Sequence, residues 1–575
     1  MQTSSEGPSR GGGSSALRRF GPVVAIVAVV AIIAAVVLTG GDDDGDQATT
    51  GATTPPQDEA SETARPEGAI SFAQADEEGL DVEFSDTCDP ETGQVAIPYF
   101  FAPACYAEVE DNGGATSRGV TADTITVVAY VAPAVDPVLD YITGPINNDD
   151  TPEQVAQTTS NYAEMFNATY QTYGRKVDVK ILNASGTSQD EVAARADAKK
   201  AVEEMGAFAV WGGPVLTNAW TDEIAALGAI CIGCVGGSQK FAEDRAPYVI
   251  GVGMSAQEVN AHAAEYVSKK LAGKPAEHAG DEALQDQERV FAHLYIQSGE
   301  ESDINAAQLK DLLSEGGIEL AEQLPFELDP GRLAEQATSI ISKLKAAGVT
   351  SVLLQADPIS PSNFTQEATA QEYFPEWVVA GGALVDTTVF GRVYDQRQWA
   401  NAFGITQIAA RIAPDQAASA FLHRWFFGEE PPAPDTAPVL LGTPSLFFTM
   451  IQNAGPDLTP ETFRDGLFSA EPRQGSITAP SLSWGAHGLW DEIGIETDWS
   501  GVDDMTEFWY DAEATGLDEI QNEGTGMVRW VDGGARYLPG AWTEEHRVFE
   551  EEGSVTVYES PPEDETPPDY PSPAG

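Results

Sequence analysis

The sequence predicts an α/β protein of two doubly wound, Rossmann-like lobes preceded by a transmembrane helix. Three observations predict it. Strand-like and helix-like segments alternate from Val120 onward. The alternation runs through two successive sets, each long enough for its own parallel sheet with helices on both faces. Near the N-terminus stands an uncharged apolar stretch of membrane-spanning length.

That stretch comes first in the chain. Arg10, Arg18 and Arg19 precede "FGPVVAIVAVVAIIAAVVLTG", and no residue from Gly21 to Gly40 is charged. About 20 apolar residues at 1.5 Å rise cross a bilayer core, more than a cleaved signal usually carries. Arginines before the span and "GGDDDGD" after it place residues 1–20 in the cytoplasm and the body outside the cell. The expectation is a single-pass cell-membrane protein with 21–40 as an uncleaved anchor. Residues 41–85 are acidic and rich in Thr, Pro and Gly, and read as a disordered linker. Residues 558–575, with "ESPPEDETPPDYPSPAG" at their core, read as a second such segment, an acidic Pro-rich tail.

Between them the elements follow in order. "TITVVAYVA" is a buried strand, "EQVAQTTSNYAEMFNATYQTYG" a helix, and "KVDVKILNA" a strand of period two. "EVAARADAKKAVEEMG" carries Val192, Ala198, Val202 and Met205 at helical spacing with Gly206 as a stop. "AFAVWGG", "AICIG" and "YVIGVG" are further strands, with the short helix "TNAWTDEIAALG" between the first two. The second set opens with helix "AQEVNAHAAEYVSKKLAG" and strand "RVFAHLYI". It continues through "DINAAQLKDLLSEGG", "IELAEQLPFE" and "GRLAEQATSIISKLKAAG". The last of these puts Leu333, Ala337, Ile340, Ile341 and Leu344 on one face. "SVLLQAD", "SNFTQEATAQ" and "EWVVAGG" complete the alternation. Three helices follow, "PDQAASAFLHRWFFG", "PSLFFTMIQNAG" and "TPETFRDGLFS", and residues 505–557 read as short strands and turns. In open parallel sheets ligands sit beyond the carboxyl ends of the strands, so a cleft between the lobes is expected.

Chemistry-bearing motifs are few. There is no G-x-S-x-G elbow, H-E-x-x-H pair or phosphate loop, so no enzyme is read here. His262, His278, His293, His423, His487 and His546 stand isolated in the sequence and are assigned no role. With 91 acids against 30 bases the surface repels phosphate backbones, and nucleic acid is not an expected partner. The acidic runs lack the spacing of a calcium loop, so neither a metal nor a cofactor is expected.

Four cysteines occur, Cys88, Cys105, Cys231 and Cys234. Outside the cell they read as disulfides, although four cysteines allow three connectivities. A Cys231–Cys234 bridge would stiffen a loop leaving a strand, and Cys88–Cys105 would close a loop before the first lobe. After the C-x-x-C pair, Gly236 and Gly237 let a ligand approach main-chain N–H groups, and Ser238 offers a hydroxyl. "GGPVLTNAW" supplies a matching loop in which Thr217 or Asn218 caps the next helix. Tyr130 and Trp220 are available to stack on a ligand or to pack in the core.

Whole segments of the chain resemble a known family. "RGVTADTITVVAYVAP", "AVEEMGAFAVWGGPVLTNAWTDEIAALGAICIG", "QATSIISKLKAAGVTSVLLQADP" and "GPDLTPETFRDGL" are similar to extracytoplasmic solute-binding proteins of ABC transporters. The type is that which binds branched-chain amino acids (Leu/Ile/Val), with the type I periplasmic-binding fold. "CDPETGQVAIPYFFAPAC", "CIGC" and "VDGGARYLPG" resemble an actinobacterial branch. The resemblance spans roughly residues 86–545.

It implies two lobes joined by three crossovers, placed near Gly253–Ser255, Gly381–Val385 and Ser481–Trp484. Residues 86–119 are then a disulfide-bearing segment. Residues 120–254 and 385–482 make one lobe; 255–384 and 483–557 make the other with C-terminal strands. The resemblance puts ligand contacts on Leu216, Thr217, Gly236, Gly237 and Ser238 in the first lobe, and Asn218 in the same loop is a further candidate. In the second lobe it puts them on Gln297, Ser298, Asp357 and Gly382. The family's amino-acid binders carry a tyrosine near position 301 and a carboxylate near 382. Here those positions are Glu301 and Gly382, which leaves Asp357 as the substitute carboxylate. The implied function is capture of a small organic ligand (an amino acid, amide or related acid) and delivery to an ABC permease, by a monomer. Two rival readings are a ligand-sensing receptor subunit of the same fold and a secreted C-x-x-C redox protein.

Overall fold

The computed structural model describes residues 63–572 except 147, 235–237 and 383. The expected anchor and residues 1–62 lie outside the described residues, as do Gly236 and Gly237. Among the described residues no helix is long and apolar enough to cross a membrane.

Two sheets organise the chain. The first is built from β1 (Thr124–Val131), β2 (Lys176–Asn183), β3 (Ala209–Trp211), β4 (Ile230–Ile232) and β5 (Val249–Ile250). They run parallel in the order β2-β1-β3-β4-β5. Period-two alternation divides this sheet between two cores. Val127 faces Phe166, Phe448 and Phe463 of the helices Pro152–Thr169, Gly442–Ala454 and Pro460–Phe468. Its neighbour Val128 faces the opposite layer, with Ala198, Trp220, Ile224 and Cys231.

The second sheet takes β6 (Phe291–Ile296), β7 (Glu322–Phe326), β8 (Ser351–Ala356), β9 (Glu376–Gly382), β10 (Ala402–Thr406), β11 (Met505–Leu517) and β12 (Glu523–Trp530). Their order is β12-β11-β10-β9-β8-β6-β7, and β13 (Arg536–Tyr537) pairs with β11. Strands β6 to β10 are parallel; β11 and β12 run antiparallel at one side. The helix Leu333–Ala346 buries the five apolar residues that its spacing singles out.

The chain enters the second lobe at residues 251–255. It returns to the first between β10 and the helix Ala418–Phe427, whose Leu422 and Phe426 pack in the first lobe's core. It goes back at 481–504, where the first and third passes bond to each other: Gly251 N to Trp499 O at 2.8 Å, Gly501 N to Gly253 O at 3.2 Å.

Four expectations are corrected. The chain does not leave the second lobe at Gly381–Val385. β9 turns through the helix Thr388–Gly391 and returns as β10 beside it, so residues 385–406 belong to the second sheet. "AFGIT" is short and buried on every position, which hides it from a periodicity reading. Residues 505–557 do not begin with short strands: β11 is 13 residues long and forms a hairpin with β12. Residues 63–85, expected in the linker, contain the helix Phe72–Glu78, and Ala107 N and Phe72 N bond across to Ile70 O and Cys105 O. The acidic tail is also docked. Just before it Val555 pairs with Trp530 in the second lobe, and in the tail itself Tyr558 N bonds to Arg411 O beside the second pass. Further on, Trp425 Nε1 in the first lobe donates to Tyr570 O at 2.7 Å. Tyr570 OH donates to Asp89 at 2.7 Å. The tail is thus a fourth connection between the lobes, held by specific hydrogen bonds where its composition offers no apolar run.

Strand β10 sits close against β9 at Gly404. A Cβ there would overlap the backbone oxygen and nitrogen of Val379. Gly404→Ala is expected to lower stability by about 1–3 kcal/mol, because sheet backbone cannot give way as a side chain can. A urea titration checks this, and an unchanged midpoint would contradict it.

Candidate functional site

A cleft opens at the carboxyl ends of the parallel strands of the second sheet. It encloses about 840 Å³ of space, part of it open solvent. The strand ends contribute Tyr295 and Ile296 from β6, Gln355 and Ala356 from β8, Gly381 and Gly382 from β9, and Ile405 and Thr406 from β10, with Gln407 following in the second pass. Met254, Ala256, Val259 and Asn260 come from the first pass and the helix Ala256–Tyr266, Ser302 and Asn305 from the helix Glu300–Glu315, and Met505 from the start of β11. The first and second passes therefore border the cleft, so residues that link the lobes also line it.

Gly381 is required where it stands. Its φ is +111°, and a Cβ would overlap the Val259 side chain. Beneath it runs a buried polar relay. Gln323 Nε2 lies 3.1 Å from His293 Nδ1 and His293 Nε2 lies 3.0 Å from Gln355 Oε1. With Gln323 donating, Nδ1 accepts and Nε2–H donates. Gln355 Nε2 donates in turn to Asn260 Oδ1 at 2.9 Å and to Ala380 O at 3.0 Å. Burial holds the His293 imidazolium down to about 4, so the ring is neutral at pH 7. This relay commits Gln355 and the Asn260 amide to the floor and fixes their orientation.

The wall carries one carboxylate. Asp386 Oδ2 accepts from Thr406 Oγ1, whereas Asp386 Oδ1 is buried without a hydrogen-bond partner. Asn305 Oδ1 is in the same condition. Burial pushes the Asp386 carboxyl up to about 6, with the Thr406 hydroxyl opposing. No lysine, arginine or histidine is among the lining residues. A buried acceptor with nothing to accept from is costly, and a donor arriving with a ligand relieves that cost.

Of the residues expected to contact a ligand, Gly382 lines the cleft. Gln297 and Ser298 follow the lining residue Ile296, but Gln297 Nε2 donates to Asp303 and Ser298 N to Ser302 Oγ. Asp357 caps the helix Ser360–Ala370, accepting from Ile359 N and Ser360 N at 2.8 and 2.9 Å, and does not line the cleft. Leu216 is buried in the apolar cluster of the second lobe together with Ile142 and Ile146, as a contact between lobes. Thr217 Oγ1 accepts from Ala219 N at 3.1 Å, Asn218 stands just before the helix Ala219–Ala226, and Ser238 caps the helix Gln239–Glu243. None of these four lines the cleft. Tyr130 and Trp220 pack on each other, ring centres 5.2 Å apart, and Trp220 is fully buried. Both disulfides are present, Cys88–Cys105 and Cys231–Cys234, and no described cysteine is free.

Sequence reasoning missed Asp386, Asn260, Asn305, Gln355 and Tyr295. The cleft has a tyrosine, Tyr295, and a carboxylate, Asp386, in its lining. Neither stands in a sequence pattern that marks a ligand site, because only the packing of the strand ends brings them together.

The profile described as periplasmic binding protein matches residues 137–485. Among curated proteins none matches. A solute-binding protein from Rhodopseudomonas palustris, solved with 4-hydroxybenzoate, is 12% identical with TM-score 0.47, covering 70% of this chain and 97% of its own. An amino-acid ABC transporter substrate-binding protein from Pseudomonas fluorescens is 12% identical with TM-score 0.48, covering 73% and 99%. A fatty-acid ABC transporter substrate-binding protein from Thermomonospora curvata is 16% identical with TM-score 0.43, covering 71% and 94%.

Proposed function

We propose, from the premise that this chain belongs to the periplasmic-binding-protein family, that it captures a small organic solute in the cleft and passes it to an ABC permease. The observation that carries the ligand class is Asp386, which lines a cleft without a cationic side chain and whose Oδ1 is buried and unpartnered. A desolvated carboxylate gains most from an ammonium or another strong N–H donor. Met254, Val259, Ile296, Ile405 and Met505 offer an apolar surface to the rest of the molecule. The ligand is therefore a compact amine or amide with an apolar body, a class that includes amino acids and their amides. An aromatic acid such as a hydroxybenzoate offers Asp386 only a phenolic hydroxyl, a weaker partner than an ammonium, and adds a like charge.

Tethering is part of the same proposal. The uncharged stretch Gly21–Gly40, with arginines before it and aspartates after it, supports an anchor that keeps the body outside the cell beside its permease.

A thermal-shift screen against amino acids, their amides, simple amines and aromatic acids tests the ligand class. A nitrogen-bearing ligand at 100 times its dissociation constant is expected to stabilise by about 2.7 kcal/mol. Asp386→Asn is expected to weaken that ligand by about 1.5–3 kcal/mol, or roughly 10- to 150-fold. Affinity is also expected to fall as pH drops below 6, where the carboxyl takes up a proton in the empty cleft. Stabilisation by benzoates alone, unchanged in Asp386→Asn, would overturn the reading.

A further inference from the structure

We infer that Glu277, His278 and His546 form a binding site for a divalent transition-metal cation of the zinc class on the second lobe, away from the cleft. The three residues come from two segments far apart in sequence, the loop before β6 and the C-terminal stretch after β13. Each offers one ligand atom, and these atoms lie within 4.8 Å of one another. The chain has only six histidines, and the sequence places these two nowhere near each other.

Ring geometry favours a shared metal. The centres of His278 and His546 are 5.5 Å apart with the planes at 61°. With Zn–N at about 2.0–2.1 Å, each ring centre sits about 3.2 Å from the metal, and a tetrahedral angle sets the two about 5.2 Å apart. The observed spacing is within a few tenths of that. His278 Nε2 and Glu277 Oε1 are 3.8 Å apart, against about 3.4 Å for two donors on a tetrahedral ion. Glu277 is exposed and can swing to close the remaining distance.

The surroundings resemble an outer ligand shell. His546 Nε2 lies 3.5 Å from Glu507 Oε1 and 3.3 Å from Tyr266 OH. That leaves Nδ1 as the ligating atom, with the Tyr266 hydroxyl holding Nε2, an outer contact of the kind that fixes a ring's tautomer and orientation. His278 is held by its backbone, whose N–H donates to Glu376 Oε1 at 3.1 Å. Phe549 packs on His278 and Phe403 on His546, ring centres 4.8 and 5.4 Å apart. The nearby cations are already answered. Lys270 pairs with Glu507 at 2.7 Å, Arg289 with Glu376 at 2.8 Å, and Lys274 Nζ donates to Glu544 O. A bound ion would pin the C-terminal stretch to the body of the lobe.

Isothermal titration of the chelator-treated full chain with zinc chloride is expected to show one saturable equivalent and a raised melting temperature. Cobalt(II) chloride is expected to give the visible absorption of a tetrahedral site. His278→Gln and His546→Gln should each remove the equivalent and the cobalt spectrum, and Glu277→Gln should weaken both. His487→Gln should change nothing. If His546→Gln fails to fold, the exposed Glu277→Gln and the loop variant His278→Gln decide the matter. No saturable binding by the unaltered chain, or binding that persists in His278→Gln and Glu277→Gln, overturns the site.

Discussion

Replacing Arg289 with alanine is expected to destabilise the second lobe by about 3–5 kcal/mol, among the largest single effects in the molecule. Arg289 and Glu376 are both fully buried at their side chains. Their contact is bidentate: Nε to Oε2 at 2.8 Å and an Nη to Oε1 at 2.9 Å. Ser351 Oγ and the His278 N–H complete the carboxylate's partners. Glu376 begins β9 and Ser351 begins β8, so the pair locks the amino ends of two adjacent central strands. Removing the guanidinium leaves a buried carboxylate without its counter-ion, which costs far more than the pair contributes when intact. The double variant Arg289→Met, Glu376→Leu removes both charges and is expected to recover most of the loss. Urea unfolding of the three variants checks this. A loss under 1 kcal/mol for Arg289→Ala, or a double variant worse than the single, would contradict it.

Stability is expected to peak near pH 6.5 and to fall on the alkaline side. The cause sits where the passes between the lobes meet. Gln239 Nε2 donates to both Glu258 Oε1 and Asp498 Oδ1, at 2.6 and 2.7 Å, with all three side chains buried. Two carboxylates around one amide cannot both ionise cheaply away from water. Burial, and then the Asp498 charge, pushes Glu258 well above the usual carboxyl range. Burial likewise raises Asp498, and Asp503 to about 8. A carboxyl raised in the folded state contributes stability that is fully present below its unfolded pKa and is lost as pH rises through the folded value. Each such proton costs about 1.4 kcal/mol per pH unit until it is released. The buried histidines work in the opposite sense. His262, His278 and His293 are held down to about 4 and His546 to about 2, all by burial first. Their contribution is present above the unfolded value near 6.5 and is lost as pH falls. Above 6.5 only the carboxyl slope remains. Urea titrations from pH 5 to 8.5 read the curve, and Glu258→Gln and Asp503→Asn should flatten its alkaline limb. Stability that climbs steadily to pH 8 would refute the assignment.

Much of the layered architecture is legible locally. The nine strands from β1 to β9 lie where apolar runs or period-two segments stand in the sequence. The helix Leu333–Ala346 buries the face its spacing nominates, because a 3.6-residue period is a property of neighbours in the chain. The candidate site is far less legible. Asp357 is a carboxylate just past a strand end and reads as a ligand, yet its oxygens are consumed by the first turn of the next helix. Asp386 lies in an unremarkable turn and becomes the only acidic side chain among the described lining residues.

What the sequence by itself determined is the alternation of strand and helix, the division into two sets, and cysteines spaced so that near neighbours could pair. Each follows from interactions between residues close along the chain. Tertiary structure alone decided that β10 joins the second sheet, that the acidic tail ties the lobes together, and that Asp386 faces a cavity. It also brought His278 beside His546. All four depend on the packing of segments remote in sequence, where burial and the loss of water give a side chain its chemistry.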